Sequence, residues 1–77
     1  MKSTIVMEKR GSDYRCDAYG KFGGGFRNAF AGKSAVEASF YLITQYHRYV
    51  RSNSEGGYII APTEVSKLLP NYMLEVA

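Results

Sequence analysis

The chain reads as an α+β domain: a three-stranded antiparallel meander, one long helix packed on the sheet, a further short strand and a short C-terminal helix. Three observations predict this. Residues 13 to 22 alternate strictly between polar and apolar side chains, as a half-buried antiparallel strand does. Ser34-Ala35-Val36-Glu37 is a helix-start signature followed by apolar residues at helical spacing. Tyr58-Ile59-Ile60-Ala61 is a short apolar run between Gly57 and Pro62, which suits a strand.

In chain order, Thr4 to Arg10 forms the first strand, β-branched at Thr4, Ile5 and Val6. Gly11-Ser12 turns the chain. On the second strand Tyr14, Cys16, Ala18, Gly20 and Phe22 share the inner face, and Asp13, Arg15, Asp17, Tyr19 and Lys21 share the outer one. Gly23-Gly24-Gly25 turns again, and Phe26, Asn28 and Phe30 continue the inner face on the third strand.

Ser34 to Ser52 is then one helix of about five turns. The Ser34 side chain caps the first turn and Glu37 reaches back to the serine amide. At 100° per residue Ala35, Ser39, Leu42, Ile43, Tyr46 and Val50 face the core, flanked by Val36, Phe40 and His47 on one side and Ala38 and Tyr49 on the other. Glu37, Tyr41, Thr44, Gln45, Arg48, Arg51 and Ser52 face water, so Tyr41 is the one large aromatic left exposed. Ser52 to Gly57 ends the helix with glycine available for a left-handed turn. Thr63 to Leu69 is a short helix capped by Thr63 and ended before Pro70. Tyr72, Leu74 and Val76 alternate as a last strand or an apolar tail.

At 77 residues the chain is a single domain, residues 1–77, near the size where one core barely suffices. Its 45% hydrophobic and 22% charged residues are those of a folded protein. The one cysteine, Cys16, falls on an inner strand face and reads as a buried thiol of a reducing compartment. The N-terminal apolar run is too short for a signal peptide, and no stretch approaches a membrane span. The expected location is the cytoplasm. Net charge is +3, unevenly placed: residues 1 to 51 carry nine bases against four acids, whereas residues 52 to 77 carry one base against three. The basic part can steer an anionic partner.

Catalysis finds little support. Gly32-Lys33-Ser34 resembles the end of a phosphate-binding loop, but the glycine that loop needs five residues earlier is Arg27. His47, the single histidine, sits on the flank of the core face, where a structural role is commoner than general-base work. A Cys16 and His47 dyad lacks a third group. One cysteine, one histidine and scattered acids have no metal-ligand spacing. No catalytic residue, metal or cofactor is expected.

Binding is better supported. Gly20-Lys21-Phe22-Gly23-Gly24-Gly25-Phe26-Arg27 is a basic, aromatic, glycine-rich loop able to approach a partner closely. Arg15, Tyr19 and Lys21 extend that surface, where Arg10 and Arg27 also belong. Arginine with aromatics marks protein hot spots and single-strand stacking platforms alike. Asp13 and Asp17 interrupt the positive face, which favours a complementary protein over a phosphate backbone. The residues expected to bind are Tyr19, Lys21, Phe22, Arg27, Tyr41, Arg48 and Arg51.

The order of strands, the Gly32-Lys33-Ser34-Ala35-Val36-Glu37-Ala38 junction and the long helix resemble HicB-type antitoxin domains, although Phe26-Arg27-Asn28-Ala29-Phe30 departs from that family's proline-containing stretch. In size and economy the chain is more similar to the small phage-encoded anti-CRISPR proteins, over residues 3 to 70. That resemblance implies a non-enzymatic inhibitor in a bacterial host's cytoplasm, a monomer or homodimer. It would occlude a protein or ribonucleoprotein complex such as a CRISPR surveillance complex. The alternative is a small nucleic-acid-binding module using the glycine loop.

Overall fold

The computed structural model of the chain describes residues 3–20, 25–52 and 56–74. Three antiparallel strands come first: β1 (Ser3–Arg10), β2 (Asp13–Tyr19) and β3 (Phe26–Gly32). Helix α1 (Ala35–Gln45) follows and runs straight into a π-helical segment, Tyr46–Arg51. Strand β4 (Gly57–Ile60) and two single-turn helices, α2 (Thr63–Ser66) and α3 (Asn71–Leu74), complete it. The α+β class and the meander-then-helix order are as the sequence predicts.

Strand order is β3-β2-β1-β4, and β4 lies parallel to β1, with Ile5 beside Ile59 and Val6 beside Ile60. The sheet is therefore mixed, with β3 and β4 at its edges. The short axis of 15 Å holds one sheet and one helical layer. One face of the sheet is covered by the helix, and among the described residues no helix covers the other, open face.

The period-2 pattern places Ile5 and Met7 of β1, and Tyr14, Cys16 and Ala18 of β2, in the core. Ala38, Leu42 and Val50 meet them from the helix, and Val65, Leu69 and Met73 close the end. Tyr14 also fastens the C-terminal segment to the sheet, since its hydroxyl donates to Glu64 Oε2 at 2.9 Å. Burial, and then the Glu64 carboxylate, raises the Tyr14 pKa. Its own backbone amide, and then the Tyr14 hydroxyl, lower that of Glu64.

Two features change what the third strand presents. Ala18 pairs with Phe26 and Cys16 with Ala29, so one residue of β2 faces two of β3 between these pairs, a β-bulge. Asn28 occupies it with φ of 51°, a left-handed conformation that asparagine tolerates. Inner-face parity is thereby shifted by one. Phe26 points inward as expected, but Ala29 and Ala31 follow it and Phe30 turns out to solvent, 48% exposed. The expected inward Asn28 and Phe30 are both corrected. A second shift before Gly32, whose φ is 136°, carries the chain into the helix.

Ser34 caps α1 as the sequence predicts, its Oγ accepting from the Glu37 amide at 3.2 Å. The Glu37 carboxylate, however, accepts from the Lys33 amide and the Ser34 hydroxyl, both at 3.3 Å, rather than from the serine amide. The buried face is centred on Leu42 and rotated toward the Ala38 flank. Tyr41, expected in water, is half-buried against Phe26, and Gln45, expected in water, is buried. Val36, Phe40 and His47, expected to flank the core, are exposed. The cause is Phe26: its ring meets Tyr41 and Tyr49 edge-on at 6.1 and 5.6 Å, drawing that side of the helix onto β3.

The last predicted turns of the helix are π rather than α, which the spacing of side chains does not disclose. Pro62, not Thr63, stands at the start of α2, which is a single turn. Asn71 to Leu74 is helical and not a strand, and residues 75–77 lie outside the described ones.

Candidate interaction surface

The open face of the sheet is built from the outward residues of four strands. The registers set Tyr58, Thr4 and Tyr19 in one row and Ile60, Val6 and Asp17 in the next, while Glu8, Arg15 and Phe30 make a third. Ile60 and Tyr19 are 57% and 41% exposed, so large side chains stand in water on a face that no helix covers among the described residues.

Two arginine–aromatic stacks lie on this face. The Arg27 guanidinium sits 3.9 Å from the Tyr19 ring centre, and that of Arg15 sits 5.3 Å from the Phe30 ring. The first stack borders a hollow of about 210 Å³ with Ala18, Gly20 and Gly25. Carboxylates are interleaved with these bases. Asp13 pairs with Arg15 at 3.4 Å, Glu8 pairs with Arg10, and Asp17 Oδ1 accepts from the Asn28 amide at 2.7 Å. The face is thus mixed in sign and carries its aromatics beside charge.

Of the residues expected to bind, Tyr19 and Arg27 come together here. Lys21 and Phe22 lie outside the described residues, as do Gly23 and Gly24. Tyr41 belongs to the layer between helix and sheet, and burial raises the pKa of its phenol. Arg48 and Arg51 are exposed on the π-helical segment, with Arg48 6.0 Å from the Tyr49 ring. The sheet separates this helical group from Tyr19 and Arg27, so the expected set divides between two layers.

Sequence reasoning missed Phe30 and Phe40 as exposed aromatics and Gln45 as a buried amide. Phe40 is 65% exposed and, with Phe30, lines a groove of about 460 Å³ between β3 and α1. Asn28 within an apolar alternation was the available signal for the bulge that turns Phe30 outward.

Cys16 is fully buried, and desolvation, with help from the Asp17 charge, pushes its thiol up to about 12. His47 is exposed beside Tyr72, with Nε2 and Oη 3.4 Å apart. The two do not share an environment. Among the described residues no group of three or more His, Cys, Asp or Glu could hold a metal, and no helix is long and apolar enough to cross a membrane. Comparisons with protein-family models, with characterised proteins and with solved structures find no match to this chain.

Proposed function

We propose that the chain is a non-enzymatic binding protein, a phage or prophage inhibitor that occludes a protein or ribonucleoprotein surface of a bacterial defence complex. The open sheet face makes the contact. The observation that carries this reading is the Arg27 and Tyr19 stack on an uncovered face: two side chains of the hot-spot type, each limiting the other's freedom before a partner arrives. Mixed charge supports a protein surface, because Asp13 and Asp17 would oppose a phosphate backbone running across the same strands. The choice of a defence complex rests on the likeness to small phage-encoded inhibitors.

The test is plaque formation by a targeted phage on CRISPR-immune cells expressing the chain. Restored plaques that Tyr19→Ala and Arg27→Ala variants abolish would support the proposal. A folded, expressed chain that leaves immunity intact against each CRISPR type tried would overturn it.

A second reading, a single-strand-binding module, is favoured by the same stack, which Gly20 and Gly25 border. It requires affinity for short DNA or RNA that falls steeply with salt. Binding that ignores salt would exclude it.

A further inference from the structure

Among the described residues the open face of the sheet carries three arginines, and they are not equivalent. Arg10 is paired with Glu8, and Arg15 with Asp13 at 3.4 Å, so each of those charges is answered within the chain. Arg27 is not. Its guanidinium sits 3.9 Å from the centre of the Tyr19 ring, and no carboxylate or carbonyl takes its N–H groups. A guanidinium over a ring uses its flat face there, while its donors lie in its own plane and stay available along the edge. Arg27 is exposed, so the stack orients a planar fork of donors in water.

The hollow of about 210 Å³ beside the stack limits the size of what can enter. Two of its five lining residues are glycines, and a Cβ at Gly25 would run into the Ala18 carbonyl oxygen. Sites for cofactors and drug-sized molecules occupy about 300–1,000 Å³. A smaller hollow suits one side chain.

Charge narrows the class. A carboxylate matches a single guanidinium, two oxygens against two N–H groups. A nucleic-acid backbone reaching Arg27 would carry further phosphates across Asp13 and Asp17 on the same face, without a second unpaired arginine there to meet them. In the row next to Tyr19, Val6 and Ile60 point outward, and Ile60 is 57% exposed. The surface therefore fits one acid among apolar neighbours rather than a run of charge.

We infer, resting on the reading of the open face as a protein contact, that the hollow beside Arg27 takes the carboxylate of an exposed glutamate or aspartate of the partner. Arg27 holds it by two parallel N–H···O bonds while its guanidinium stays on Tyr19. Apolar residues flanking the acid lie against Val6 and Ile60.

The experiment titrates the blocked tripeptide acetyl-Leu-Glu-Leu-amide into the isotope-labelled full chain. NMR follows the Arg27 Nε–H and the amides of Tyr19, Gly25 and Arg27. The Leu-Gln-Leu counterpart, inorganic phosphate and a short oligothymidylate are titrated in parallel. The expected result is saturable shifts with the Glu peptide and binding weaker by about tenfold or more with the Gln peptide, because a charge-assisted pair becomes a neutral one. Arg27→Lys keeps the charge and loses the fork, so it should weaken the Glu peptide by about threefold or more, the worth of one hydrogen bond. Equal binding of the two peptides, Arg27 signals that do not move, or full affinity in Arg27→Lys would overturn the inference. Phosphate or oligothymidylate binding more tightly than the Glu peptide would overturn it too, in favour of nucleic acid. Plaques restored by the chain and lost in Arg27→Ala, with no preference for Glu in the titration, would keep the open-face contact and remove the carboxylate. The reverse pattern would keep the carboxylate site and remove the defence complex.

Discussion

The backbone amide of Asn28 donates to the side-chain Oδ1 of Asp17 at 2.7 Å, and this single bond closes the bulge that sends Phe30 to solvent. Without it, the Asn28 amide would have no partner across the strand pair, because the bulged residue is out of the ladder. Asp17→Ala should cost about 1 kcal/mol, the net worth of one hydrogen bond to a partly exposed carboxylate. Asn28→Val should cost more, about 1–3 kcal/mol, because a β-branched side chain is forced to positive φ. Asn28→Gly, which keeps the conformation open, should be close to neutral. Urea denaturation of the three variants checks the order. A Val variant as stable as the Gly one would mean the backbone at residue 28 is not left-handed.

Gln45 is a buried amide on the helix, 8% exposed. Its buried oxygen lacks a donor, so an apolar side chain of similar length removes a desolvation cost without removing a bond. Gln45→Leu should therefore raise stability by about 1 kcal/mol, visible as a higher urea midpoint at unchanged slope. A variant that is less stable than the parent would place a hydrogen-bond partner on Gln45 in the folded chain.

Local rules made much of this fold legible, and each failure has a physical origin. The strict alternation from Asp13 to Tyr19 read correctly because side-chain period is a property of a few consecutive residues. Ser34 read correctly because a cap is a contact across three residues. The face of Phe30 was misjudged because one inserted residue reverses parity without changing composition. Gln45 and Tyr41 escape the helical spacing because the helix turns toward Phe26, a neighbour fifteen or more residues distant in sequence whose pull no periodicity contains. Parallel pairing of β4 with β1 joins residues more than fifty apart, which no local pattern specifies. Among the candidate binding residues, Tyr19 and Arg27 were found together because both lie on outward strand positions. Helical spacing places Arg48 and Arg51 correctly in water but does not say on which side of the sheet, and the sheet keeps them apart from that pair.

Cys16 should make the chain sensitive to alkali. Burial raises its thiol from 9.0 to about 12, so the folded chain holds a proton that the unfolded chain has released. The sign follows: this contribution is complete below pH 9, and stability falls as pH climbs toward 12, by about 1.4 kcal/mol per pH unit for one proton. Tyr14 and Tyr41, whose pKa values are also raised, add the same sign above about pH 10. Cys16→Ala should reduce the loss between pH 9 and 10, where the tyrosines of the unfolded chain are at least half protonated. Parallel urea titrations at pH 8, 9 and 10 on both proteins check this. Equal slopes would show that the thiol ionises as readily folded as unfolded.

Gly32 is where strand becomes helix, and its lack of a side chain is required twice. The backbone is at φ of 136°, which L side chains rarely adopt. A Cβ there would also lie 2.6 Å from Glu37 Cβ and 3.3 Å from the Ala38 amide nitrogen. Neither neighbour can yield cheaply, because Ala38 is wholly buried and Glu37 is held by the Ser34 cap. Gly32→Ala should therefore cost about 2–4 kcal/mol, a strained backbone added to an overpacked contact. For a chain of 77 residues that is a large part of its total stability, and thermal melting should move down by about 8 °C or more, at about 4–8 °C per kcal/mol. Ser34→Ala next to it loses only a cap, about 1 kcal/mol, and so serves as the control for damage confined to the helix start. Melts of the two variants by circular dichroism distinguish the effects. Equal losses would mean that the chain tolerates a side chain at residue 32 and that the junction is held by the cap alone.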